Sequence, residues 1–152
     1  MQDLKQSKKI ESFSKPASLD AVRAEFNRGS CFFEDAKKAA LQKFDTEFVY
    51  KNIYDAIRKM CDSVLKSEGY RAKGKDHHKT IIKAVQIILS QPNLNEKFIR
   101  LQKMSTNRNK IDYGIFTSSS SDLEQAMTDG EEIRQVLEKY LSKKAGQEGL
   151  KI

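Results

Sequence analysis

TEFVYKNIYDAIRKMCDSVLKS, residues 46–67, decides the fold. Read at 3.6 residues per turn, Val49, Ile53, Ala56, Met60 and Val64 form one row, and Ile57, Cys61 and Leu65 the row beside it. So wide an apolar stripe predicts a central helix touched by several neighbours. Asp45 or Thr46 is placed to cap its start, and Gly69 to end it in the left-handed conformation that glycine adopts freely. Cys61 lies inside the stripe and reads as a small buried hydrophobe. Cys31 is distant, and no CxxC pairing exists.

Before this helix, residues 1 to 17 are polar and lysine-rich and read as a mobile tail. Ser18 can cap a short helix whose apolar side is Leu19, Val22 and Phe26, with Gly29 as its stop. A second segment, Phe32 to Phe44, carries Phe33, Ala36, Ala40, Leu41 and Phe44 on one face. Beyond Gly69, residues 70–76 read as a basic loop, and Asp76 can cap a helix from His77 to Ser90. Pro92 precedes the helix that ends near Tyr113, and a serine-rich loop follows it. The last long helix, about Ser120 to Lys143, turns Leu123, Ala126, Met127, Ile133, Val136, Leu137, Tyr140 and Leu141 inward, with fraying expected after Ala145. Gly130 falls on that inner face, where packing or a kink would explain it. No segment alternates strictly, so the expectation is all-α: one domain over residues 18–145, with four long helices and a short N-terminal one.

Composition sets the class. In 152 residues, 38% hydrophobic and 32% charged, no apolar run approaches the roughly 20 needed to span a bilayer, and the N-terminus has no secretory core. Cytoplasm and no membrane are expected. The net charge of +7 is uneven. Residues 66–83 hold six basic and two acidic side chains, and 97–110 five basic and none acidic. From 120 to 138 six acids face one arginine. A basic surface of this kind points to RNA or another polyanion. No HExxH, Cys/His cluster, Walker loop or GxGxxG occurs, so neither metal nor cofactor is expected.

One charge is out of place. Leu94, Phe98, Leu101, Ser105, Arg108 and Asp112 share a helical stripe, and an unpaired guanidinium taken out of water costs on the order of several kcal/mol. Arg108 therefore needs Asp112 one turn on, an open groove, or an anionic ligand. Asn109, Asp112 and Tyr113 are its neighbours. A second polar set lies in the loop and the next helix start: Arg71, Lys73, Lys75, His77 and His78.

Taken together, Tyr54-Asp55-Ala56-Ile57, then Glu68-Gly69-Tyr70-Arg71-Ala72-Lys73-Gly74 with His77-His78, then Arg108-Asn109-Lys110-Ile111-Asp112-Tyr113 resemble the prokaryotic HEPN superfamily over residues 33 to 141. The resemblance is to a branch with a GYR…G…HH loop and an RNxxxY ending. It implies an antiparallel four-helix bundle, commonly a homodimer with the polar motifs in a shared cleft that takes RNA or a nucleotide. It also implies metal-independent ribonucleases, often toxins or phage-defence effectors with an antitoxin partner. Arg108 matches the family arginine and Asn109 its polar companion, whereas Asp112 and Tyr113 stand where the family histidine belongs. His77 or His78 supplies the missing imidazole if its helix start lies beside Arg108. The alternatives are a non-catalytic adaptor with Arg108–Asp112 as a structural pair, or an antitoxin-type partner of a nucleotidyltransferase with Tyr113 as a modification target.

Overall fold

Helix α3, Thr46–Ser67, has the boundaries its apolar rows require. Asp45 caps it, accepting from the backbone N–H groups of Glu47 at 2.9 Å and Phe48 at 3.3 Å. Gly69, with φ of 81°, ends it as its N–H donates to the Lys66 carbonyl. Every residue of both rows is buried, and several neighbouring elements pack against α3. The computed structural model describes residues 1–6, 9–12, 16–74 and 77–149. Among them the order is α1 (Gln2–Gln6), β1 (Ile10–Ser12), α2 (Leu19–Leu41), α3, β2 (Tyr70–Ala72), α4 (His77–Leu89), a 3₁₀ turn (Pro92–Leu94), α5 (Asn95–Asp112) and α6 (Ser120–Gly149). The protein is mostly helical, and no helix among the described residues is long and apolar enough to cross a membrane.

Three expectations change. Gly29 does not stop a short helix: α2 runs through it unbroken, joining the two segments read separately. A Cβ on Gly29 would lie 2.8 Å from Met60 Cγ and 3.2 Å from the Ala56 carbonyl oxygen, so its role is close approach to α3. The stop comes at Lys43, left-handed at φ of 59°, where Phe44 N–H reaches the Ala39 carbonyl and Lys43 N–H that of Ala40.

The supposed tail also holds structure. β1 pairs antiparallel with β2, Ile10 opposite Ala72 and Ser12 opposite Tyr70, and Leu4 and Ile10 are buried in the core. Part of the expected basic loop is thereby a strand. Finally, α6 continues past Ala145 to Gly149. Gly130 on its inner face lets the Phe33 ring and Ile57 approach; an added Cβ would meet them at 2.7–2.8 Å. Packing accounts for it.

Candidate functional site

Along α5 the stripe behaves as its periodicity demands until the charges begin. Leu94, Phe98, Leu101 and Ser105 are buried, and Arg108, one turn further, lies at the edge of the core with 23% of its side chain exposed. Its partner is not Asp112. Arg108 Nε donates to Asp55 Oδ1 at 3.0 Å and Nη2 to Oδ2 at 3.3 Å, a two-toothed pair across to α3. Asp112 instead takes Lys51 Nζ at 2.5 Å, and that contact holds its carboxyl below the ordinary value. Lys51 and Asp55 lie one turn apart on α3, as Arg108 and Asp112 do on α5. Cross-pairing satisfies all four charges and gives Arg108 the planar match a guanidinium favours.

Asp55 is shared. Arg58, one turn on along α3, has Nη2 3.8 Å from Asp55 Oδ1. Its Nε is buried with no hydrogen-bond partner among the described residues. An orphaned donor of this kind costs about 1–3 kcal/mol. Tyr54, fully buried next in sequence to Asp55, also keeps its hydroxyl without a partner there. Burial raises its phenol above the ordinary value, and neighbouring Ser105 opposes the shift.

His78, in the first turn of α4, completes the group. Its imidazole is pushed down to about 4, first by burial and then by the positive charge of Arg58, His77 and Arg108, with Asp55 only partly offsetting them. The helix N-terminus carries partial positive charge of the same sign. His77 is exposed and meets His78 edge-on, with ring centroids 4.2 Å apart. The elements α3, α4 and α5 thus gather one carboxylate, two guanidiniums and a neutral imidazole.

No family model, curated protein or solved structure matches this chain.

Of the residues singled out around Arg108, Asn109 is exposed, and Tyr113 projects from the end of α5 with 81% of its surface exposed. The buried amide is Asn107, whose Nδ2 donates to Tyr50 Oη at 3.1 Å. Arg71 and Lys73 both engage Glu11 of β1, Lys73 at 3.6 Å. Lys75 and the expected cap Asp76 lie outside the described residues. Among the described residues no cluster of His, Cys, Asp and Glu could hold a metal ion. Cys61 is fully buried and its thiol is pushed well above the ordinary range, which makes it unreactive.

Asp55 and Arg58 were not assigned a role from sequence. Their signal was present: Lys51, Asp55, Arg58 and Asp62 follow one another at 4, 3 and 4 residues, a charged row beside the apolar stripe. Chemically, the cluster suits a tetrahedral or diester phosphate, because two fixed cations share a single acid and one imidazole nitrogen is free to take a proton.

Proposed function

We propose that this chain is a HEPN-like helical-bundle protein that binds RNA phosphate at Arg58, Arg108 and His78, and that it acts as a metal-independent ribonuclease, as a homodimer. The carrying observation is the charge imbalance around Asp55: two guanidiniums on one carboxylate, one of them with a buried unpartnered Nε. A phosphodiester lying against the exposed parts of the Arg58 and Arg108 side chains, 24% and 23% of their surface, supplies the missing negative charge. The same negative charge raises the proton affinity of His78 toward neutrality, where a general base works best. His78 then takes the proton of the ribose 2′-hydroxyl as its oxygen attacks phosphorus. The bond to the 5′-oxygen breaks, that oxygen takes a proton from solvent, and a 2′,3′-cyclic phosphate end remains. Arg108 and Arg58 hold the charge that builds on the phosphate.

The test is single-stranded RNA with the purified full chain in the presence of a chelator. Cyclic-phosphate ends are expected with wild type. Loss of about 10²-fold or more is expected in His78→Ala, together with weaker binding in Arg108→Ala and Arg58→Ala. Cleavage unchanged in Arg108→Ala and His78→Ala, or RNA that does not bind at low salt, overturns the reading.

The exposure of Tyr113 favours a second reading, in which the chain is an antitoxin-type partner and Tyr113 accepts a nucleotidyl group. Intact-mass measurement after co-expression with a cognate nucleotidyltransferase decides it: a nucleotide adduct lost in Tyr113→Phe supports this role, and an unmodified chain excludes it.

A further inference from the structure

A second cleft lies between α5 and α6, over Tyr50 of α3, and shares no residue with the Arg108 cluster. Its volume is about 240 Å³, and its walls include Tyr50, Arg100, Met104, Asn107, Phe116 and Ala126. That is room for one flat heterocycle and lies below the ~300–1,000 Å³ of clefts that take larger ligands. Three of the polar residues lining it are buried, Tyr50 at 3%, Asp129 at 6% and Asn107 at 9% exposed, whereas Lys103, Asp122 and Gln125 are exposed and Arg100 is half-buried.

The three buried groups fall into two kinds. Asp129 is fully engaged, by Arg100 at 2.7 and 2.9 Å and by Gln125 at 3.0 Å, and it braces the wall between the helices. The Tyr50–Asn107 pair is not. Asn107 Nδ2 donates to Tyr50 Oη, which leaves the phenolic hydrogen without an acceptor and Asn107 Oδ1 without a donor among the described residues. With the amide turned the other way, Tyr50 Oη donates to Asn107 Oδ1 and both amide N–H groups are spare beside the phenolic oxygen, so the pair offers a donor and an acceptor in either orientation. Burial holds the Tyr50 phenol above its ordinary value, so it stays a donor at neutral pH. The Phe116 ring, its centroid 5.4 Å from that of Tyr50, adds an apolar wall.

We infer that this cleft binds a nucleobase, with Tyr50 and Asn107 reading adjacent N–H and C=O groups on its edge and Phe116 packing against its ring. A donor beside an acceptor is what such an edge complements, and a site built to pair both groups rejects a ring that lacks one of them. The inference stands on the cleft alone and does not depend on the ribonuclease reading.

The test titrates the full chain with uridine, guanosine, adenosine, cytidine and 3-methyluridine at millimolar concentrations, followed by ligand-observed NMR. Uridine or guanosine is expected to bind, and 3-methyluridine, whose N–H is blocked, to bind at least about tenfold more weakly than uridine. Tyr50→Phe, checked for an unchanged melting profile, should weaken binding by a similar factor, and Asn107→Ser gives an independent second variant. Absence of binding by all four natural nucleosides overturns the inference. So does equal binding of uridine and 3-methyluridine, or affinity unchanged in both variants.

Discussion

His78 carries the sharpest residue-scale consequence. Its folded value of about 4 lies below the ordinary 6.5, so as pH falls the unfolded chain takes up a proton before the folded one does. Stability from this group is fully present above about 6.5 and is lost as pH falls through about 4. His78→Gln should flatten the pH dependence of the denaturation midpoint across that window. An NMR titration of the wild type should place the His78 ring near 4 and move it upward when a phosphate-bearing ligand is added. A ring that titrates near 6.5 without ligand would contradict the electrostatics described. The partner of Arg108 was not legible for a related reason. Helical period says which face a residue occupies, but not which residue stands opposite. Asp112 was the acid nearest in sequence, while Asp55 offered the better geometry from another helix.

At the scale of the element, glycine shows where reading from sequence succeeds and where it fails. Gly29 and Gly130 both lie within apolar faces. In the sequence Gly29 reads as a stop and Gly130 as packing or a kink; in the structure both are contact points. Gly130→Ala would press a methyl group into Phe33 and Ile57. Overpacking costs typically about 1–3 kcal/mol, of which the better helix propensity of alanine returns about 1 at most. A lowered thermal midpoint with unchanged helical signal is expected, and an unchanged or raised midpoint would show that Phe33 moves aside freely. The long helices were readable because each repeats its period several times. β1 and β2, three residues each, are too short to show an alternation, so the tail looked structureless.

For the whole molecule, the segregation of charge along the chain is partly undone by folding. Lys97 meets Glu132 at 2.9 Å and Arg100 meets Asp129 at 2.7 Å, so the acidic stretch of α6 answers part of the basic stretch of α5. The cations of 97–110 therefore do not form one uninterrupted basic face, and the placement of Arg58 and Arg108 around one acid says more about an anionic ligand than the net charge does. Composition alone could not show this, because it counts charges without their partners.

The uninterrupted passage of α2 through Gly29 has a kinetic meaning. α2 and α3, 23 and 22 residues long, become the matched arms of a helical hairpin whose contacts close a short turn. The β1–β2 pair, by contrast, joins residues some 60 positions apart, as Ile10 opposite Ala72 shows. Closing the larger loop costs more chain entropy, so the hairpin should form first and the strand pair last. Ala56→Gly in α3 should then mainly slow refolding, whereas Ile10→Ala should mainly speed unfolding, as read from the two limbs of a denaturant chevron. If Ile10→Ala slows refolding instead, β1 belongs to the nucleus, and the chain must close the long loop between Ile10 and Ala72 before the rest can fold.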